Sequence, residues 1–365
     1  MNIVFRTDSS FNIGSGHLMR CLTLADQLRA RGGSVSFISR ETIGNLCHLA
    51  EEKGYTVHRL AAPVDRTIEQ PDDSAHLGGI DVDWQADAEE TKTILRQDIQ
   101  SVAWLIVDHY ALDKRWDSAM RPFAKHIMVI DDLADRPHDC DLLLDQNLYA
   151  NMDIRYKNLV PPQCIKLLGP SYVLLRQEFM EQRKKLRKRD GSAHRILICF
   201  GGTDKTNETA KTLNAILSLN REDIAVDVVI GIANPHSEEL QRACALRPDT
   251  TMYRQTNNMA ALMVHADLSI GAGGTMTWER CFLGLPSIIL VLAANQAESS
   301  DAVARAGAAW NLGWHVDVNS EQLAEAIAHA LDQPLALLAM TNKALSLTQT
   351  PLSEEESAAG IIYGF

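Results

Sequence analysis

The sequence predicts an α/β protein of two domains, each built on a parallel sheet covered on both faces. Three observations lead there. The chain has 365 residues, which is about two domains at roughly 150 residues each. Short β-rich apolar runs alternate with helical patterns almost throughout, and nearly continuous apolar strands belong to buried parallel sheets. The alternation pauses once, at a basic run, and then begins again.

In the first series the strand candidates are Asn2 to Arg6, Ser34 to Ser39, Tyr55 to Leu60, Trp104 to Tyr110 and His126 to Asp131. Between the first two, Leu18, Leu22, Ala25 and Leu28 recur at helical spacing, and Gly32-Gly33 ends that helix. Gln177 to Arg189 reads as helical and finishes in Arg183-Lys184-Lys185-Leu186-Arg187-Lys188-Arg189, a solvated linker face. Asp190-Gly191-Ser192 follows as a turn. The expected division is therefore 1–189, 190–349, and a weakly structured tail over 350–365. The second series has strands at Arg195 to Phe200, Ala225 to Ile230, Thr251 to Arg254, Leu268 to Ile270 and Ser287 to Leu292. Helices fall at Glu208 to Leu219, Met276 to Leu283, Glu321 to Leu331 and Pro334 to Leu347. Paired α/β domains of this kind bind ligands in the crevice between them, at the carboxyl ends of the strands.

Composition narrows the function. Apolar residues make up 46% and charged residues 22%, which excludes a disordered chain, and the formal net charge of −12 argues against nucleic-acid or anionic-membrane partners. Seven cysteines, widely spaced and without a C-x-x-C pair, read as reduced thiols. The N-terminus lacks an apolar stretch long enough for a signal peptide, and the longest apolar run, near Pro286 to Ala294, is too short to span a bilayer. A cytoplasmic protein is the expectation.

Three glycine-rich turns follow strands and open helices: Gly14-Ser15-Gly16-His17, Gly201-Gly202-Thr203-Asp204 and Gly271-Ala272-Gly273-Gly274. Each places unpaired amides at a helix N-terminus, where the dipole also favours an anion. None is a nucleoside-triphosphate loop, and Met19 stands where the dinucleotide fingerprint needs its third glycine. Kinase, ATPase and NAD-dependent readings therefore fit poorly, and no cofactor is expected. His17 begins the first helix, where the dipole favours a neutral imidazole able to act as a base; a surface histidine opening a helix is the plainer reading. Asp8 flanks the same loop. Asp108, Tyr110, Asp131 and Asp132 end strands and sit at crevice positions, where they are either catalytic or loop-capping. No H-x-x-x-H or Cys/His cluster supports a metal, and no G-x-S-x-G elbow supports a serine hydrolase. In the second series Gly273 and Gly274, leading into Thr275, would present amides to a diphosphate. Glu279, further along that helix, would accept from ribose hydroxyls or merely complement the dipole. Asn295 and Gln296 would bond sugar or phosphate oxygens.

Together these residues resemble the UDP-2,4-diacetamido-2,4,6-trideoxy-β-L-altropyranose hydrolases of pseudaminic acid biosynthesis. The resemblance is carried by Arg6-Thr7-Asp8, Gly14 to Leu22, Val107 to Tyr110, Ile130-Asp131-Asp132, Leu143 to Asn147 and Leu168 to Tyr172. It continues through Cys199 to Asp204, Gly271 to Cys281 and Asn295-Gln296. It departs at Gln349 to Glu356, where the family's aspartate-glycine-rich segment is missing. The resemblance implies two Rossmann-like domains facing across a cleft, the glycosyltransferase-B arrangement. It also implies metal-independent hydrolysis of the bond between the anomeric carbon and UDP, with His17 as general base. The loop at Gly273 and Gly274, Glu279, and the Asn295-Gln296 pair would bind UDP, and Gly14, Ser15, Gly16, Asp8, Tyr110 and Thr275 are further substrate-binding candidates. A glycosyltransferase on the same scaffold and a non-catalytic UDP-sugar binder are the competing readings.

Overall fold

The computed structural model describes residues 1–10, 13–62, 83–97, 99, 101–348 and 355–365. The chain divides into two compact units, Met1–Leu174 with Pro351–Phe365, and Leu175–Thr350.

The first unit runs β1 (Asn2–Thr7), α1 (Gly16–Ala30), β2 (Ser34–Arg40), α2 (Cys47–Glu52), β3 (Thr56–Leu60), α3 (Trp84–Gln97), β4 (Val102–Asp108), α4 (Lys114–Met120), β5 (Ala124–Ile130), β6 (Leu142–Asp145) and β7 (Ile165–Leu168). Its seven strands are all parallel, in the order β3-β2-β1-β4-β5-β6-β7. Strand residues alternate between faces. On β1, Ile3 and Phe5 pack with Leu18, Leu22 and Leu28 of α1, whereas Val4 packs with Leu95 of α3 and Trp116 and Met120 of α4. Both faces are thus buried, which explains the near-continuous apolar strands.

The second unit contains α5 (Gln177–Arg183), β8 (Arg195–Cys199), α6 (Glu208–Ser218), β9 (Ala225–Ile230), α7 (Ser237–Ala245), β10 (Thr250–Arg254), α8 (Met259–His265), β11 (Leu268–Ala272), α9 (Thr275–Phe282), β12 (Ser287–Val291), α10 (Ala294–Arg305), β13 (Trp310–Trp314), α11 (Ser320–Leu331) and α12 (Pro334–Leu347). Its six-stranded sheet, β10-β9-β8-β11-β12-β13, is again parallel. Ile196, Ile198, Val226, Val228, Leu268 and Ile270 form one core with Leu213 and Ile216 of α6 and Leu323 and Ile327 of α11.

The boundary lies at 174/175, not at 189/190. Lys184, Lys185 and Lys188 of the basic run are exposed, as a solvated face requires, but its arginines are spent on the second unit. Arg183 donates to the carbonyl of Phe282 at the end of α9, and Arg189, itself buried, donates to Met263 and Ala266 at the end of α8. Arg187 donates to Val264 and pairs with Asp267. Cations at helix carbonyl ends are favourable. The helical part of this segment stops at Arg183.

The tail also differs from expectation. Ala358–Gly364 forms a last helix, α13, that belongs to the first unit. Ala358, Ala359 and Ile362 enter the core beside Leu18 and Leu28. The buried Trp104 Nε1 donates to the Ile362 carbonyl at 3.1 Å, and Tyr363 Oη donates to the Leu28 carbonyl at 3.1 Å. Gly33 leaves room for this: a Cβ there would sit 2.9 Å from Tyr363 Oη. Strands β6, β7 and β13 are additional to the sequence reading; two have four residues, too few to show a period, and the third holds two tryptophans and a glycine.

Candidate active site

In each unit the sheet order reverses beside its first strand. β1 lies between β2 and β4, and β8 lies between β9 and β11. Such switch points open a crevice at the strands' carboxyl ends, where ligands bind in open α/β sheets. The glycine turns after β1, β8 and β11 all fall there.

In the first unit the register pairs Thr7 with Asp108, so the end of β4 stands beside the start of the β1–α1 loop. Gly14, at φ +80°, turns that loop, and its amide donates to the Ser10 carbonyl at 2.9 Å. Ser15 precedes α1, Gly16 is its exposed first residue, and His17 follows, buried. His17 Nδ1 lies 2.5 Å from Asp108 Oδ1. Arg20, one turn further along α1, forks onto Asp108 with Nε at 2.6 Å from Oδ2 and Nη2 at 2.7 Å from Oδ1. Its Nη1 donates to Asp132 Oδ2 at 2.8 Å, and Tyr110 Oη donates to Asp132 Oδ1 at 2.8 Å. The Tyr110 and His17 rings meet edge to face at 4.3 Å between centroids.

Burial opposes charge on Asp108, but the Arg20 guanidinium and His17 overcome it and hold the carboxyl well below the usual carboxylate range. Asp132 is lowered in the same way, against its burial, chiefly by Arg20. An ionised Asp108 favours the tautomer with Nδ1–H directed to it, in which the neutral ring's Nε2 carries the lone pair. This is the base-plus-orienting-carboxylate arrangement of general base catalysis.

Asp8 lies in a second, fully buried network. Arg6 grips it with Nη1 at 2.5 Å and Nη2 at 3.0 Å, the Arg40 amide donates at 2.7 Å, and His109 Nε2 lies at 3.1 Å. Arg6 also pairs with Asp87 of α3, which accepts from Trp116 Nε1 at 2.9 Å. Both oxygens of Asp8 are therefore engaged by protein groups, just beyond the end of β1. Asp131 Oδ2 accepts from the Ala134 amide and Tyr156 Oη, and its Oδ1 faces Arg136 at 3.1 Å. Among the described residues, no group of three or more His, Cys, Asp and Glu side chains is arranged to hold a metal ion.

In the second unit the register pairs Gly271 with Cys199, bringing the β8 and β11 turns side by side. Gly274, at φ +91°, precedes α9 and offers no side-chain cap; the Thr277 amide donates to the Gly274 carbonyl at 2.9 Å, and the amides of Thr275 and Met276 open the helix ahead of it. Gly273 differs from expectation. Its amide donates to the Leu290 carbonyl at 3.3 Å, and its missing side chain makes room for Ser300 Oγ and Gln296 of α10. Gly273 thus serves close packing of the turn on α10, and the amides open to an anion begin after it.

Gln296 Oε1 accepts from the Leu292 amide at 3.0 Å, which positions the side chain beside Gly273 and Gly274. Asn295 precedes it in the first turn of α10. Glu279 is buried and pairs with Arg176 at 3.1 Å, and burial raises its carboxyl above the usual range. The partners Arg20 and Arg176 escaped the sequence reading. Only Arg20 carries a local signal, its i+3 spacing from His17 on one helix face.

The two sheets and their turns define a glycosyltransferase-B-type fold. MurG of Acinetobacter baumannii superposes with a TM-score of 0.67 at 14% identity, over 100% of this chain and 99% of that one. Residues 196–356 match the glycosyltransferase family 28 C-terminal domain. The chain is similar to the UDP-2,4-diacetamido-2,4,6-trideoxy-β-L-altropyranose hydrolase of Campylobacter jejuni, 27% identical over 84% of this chain and 97% of that protein. It also resembles the spore coat polysaccharide biosynthesis protein SpsG of Bacillus subtilis, 33% identical over 44% of this chain and 48% of that one. The resemblance read from the motifs thus stands.

Proposed function

We propose that this protein hydrolyses a UDP-linked 2,4-diacetamido-2,4,6-trideoxy hexose at the anomeric carbon, releasing UDP and the free sugar. The observation that carries the reading is the His17–Asp108 pair, 2.5 Å apart at the switch point of the first sheet. Similarity to the Campylobacter hydrolase supports the choice of substrate.

The chemistry divides between the units. In the first, His17 Nε2 takes a proton from water as the water oxygen attacks the anomeric carbon. Asp108 keeps the other nitrogen protonated and stabilises the imidazolium that forms. The bond from that carbon to the UDP oxygen breaks, its electrons leave with UDP, and direct displacement inverts the configuration. In the second, the amides opening α9 receive the diphosphate, where helix-terminal donors stabilise charge growing on the leaving group. Glu279 takes the ribose, and Asn295 and Gln296 take sugar or phosphate oxygens. Gly14, Ser15, Gly16 and Tyr110 line the sugar side near His17.

A second reading, an inverting nucleotide-sugar glycosyltransferase, is favoured by the family 28 match over residues 196–356. His17→Leu tests the base. Turnover should vanish while UDP affinity measured by calorimetry stays within about threefold, since general-base loss acts on the transition state alone. Near-normal turnover would reject His17.

A further inference from the structure

The second unit buries a guanidinium that the reaction scheme above does not use. Arg280, on α9, has no solvent exposure. Its Nη2 donates to the Ala272 carbonyl at 2.6 Å and to Thr277 Oγ1 at 3.0 Å. Nε and Nη1 have no hydrogen-bond partner among the described residues, and no carboxylate there forms an ion pair with this arginine. Glu279, its neighbour in sequence, is committed to Arg176.

A buried charge without a counter-charge costs several kcal/mol and is normally paired or replaced. Arginine cannot escape by losing its proton. Its location explains the exception. A Cβ on Gly271 would lie 2.8 Å from Nη1 and would also collide with the Cys199 carbonyl. Glycine at 271 therefore lets the guanidinium tuck against the β11–α9 turn, where its Nη2 bonds the Ala272 carbonyl and Thr277 Oγ1. At the same turn, Ser300 Oγ is also buried without a hydrogen-bond partner among the described residues, against Gly273. Two unsatisfied donors thus lie at one turn whose helix carries no side-chain cap.

We infer that Arg280 is the built-in counter-charge for a diphosphate held at the Gly271–Thr275 turn, acting as a positioning residue. The inference rests on the nucleotide reading of this turn. The guanidinium has no carboxylate in ion-pair contact, only the more distant charge of Glu279, which is itself paired with Arg176; a bound dianion supplies a direct counter-charge. Field from a buried charge is weakly screened by salt, so this contribution persists at high ionic strength. Burial already presses on Arg280, lowering its hold on the proton, as expected for a cation that awaits a partner.

The test compares wild type with Arg280→Met and Arg280→Lys in the full chain, using UDP, uridine and inorganic pyrophosphate as probes. Calorimetry should show UDP binding weakened by about 30-fold or more in Arg280→Met, while uridine changes by less than about threefold. Arg280→Lys should retain most of the preference for UDP. Apo Arg280→Met should melt at or above the wild-type temperature, because it removes an unpaired buried charge. An unchanged UDP-to-uridine affinity ratio overturns the proposal. So does an Arg280→Met protein that melts far below wild type or fails to fold, since Arg280 would then be a structural group. If instead wild type binds neither UDP nor uridine but pyrophosphate still stabilises it in an Arg280-dependent manner, the counter-charge stands and the nucleotide reading falls.

Discussion

At the scale of single residues, the candidate base is defined by its partner. A histidine opening a helix has many plain explanations; one clamped to a buried carboxylate that is itself forked by Arg20 has few. Asp108→Asn keeps the shape but removes the charge and the preference for the Nδ1–H tautomer. It should lower kcat by about 10²-fold or more with KM little changed. Steady-state kinetics check this, and an unchanged kcat would make Asp108 a purely structural group. Asp145, at the end of β6, supplies a pH signature. Burial, reinforced by the charge of Asp132, pushes its carboxyl up to about 7. Its unfolded value is about 3.9, so between these limits the folded state binds the extra proton. Stability should therefore fall as pH rises from about 4 to about 7. Asp145→Asn should flatten that part of the melting-temperature profile, and an unaltered slope would contradict the assignment. His17, Asp108, Tyr110 and Glu279 were all visible as candidates in the sequence, because His17 opens a helix, Asp108 and Tyr110 lie at the end of a strand, and Glu279 sits on the helix after the Gly271–Gly274 turn. Their arginine partners were not. Arg20 meets Asp108 across 88 positions of sequence and Arg176 meets Glu279 across 103, and no local pattern encodes such contacts.

At the scale of elements, strand and helix types followed directly from periodicity, and the misses share a physical cause. β6 and β7 have four residues each, below the length at which a period can be seen. The run from Arg183 to Arg189 looked like a solvated linker because charge usually signals exposure. Here the guanidinium groups instead satisfy helix carbonyls that would otherwise be left over. Helix α13 was hidden by composition: Ser353 to Glu356 is polar and acidic, yet Ala358, Ala359 and Ile362 close the core of the first unit. Ile362→Ala should cost about 2–4 kcal/mol. Gly33→Ala, which would crowd Tyr363 Oη and the Leu28 carbonyl, should also destabilise. Chemical denaturation reads both, and wild-type stability in Ile362→Ala would show that α13 is not part of the cooperative unit.

At the scale of the whole molecule, length suggested two domains and the structure divides the chain into two units, each a parallel sheet with a switch point beside its first strand. The formal charge of −12 is no obstacle to an anionic ligand. Backbone amides bind phosphate without altering net charge, and Arg280 adds a buried cation that surface composition does not report. The shared fold leaves the choice between hydrolysis and transfer to the site, because what accepts the sugar decides the reaction. The decisive measurement is NMR of the protein with UDP-2,4-diacetamido-2,4,6-trideoxy-β-L-altropyranose, with a chelator present and no acceptor. The account predicts stoichiometric UDP and free sugar, the sugar appearing first with inverted anomeric configuration. Intact substrate until an acceptor is added would contradict hydrolysis and establish the transferase, and release that stops on chelation would contradict the metal-independent His17 mechanism.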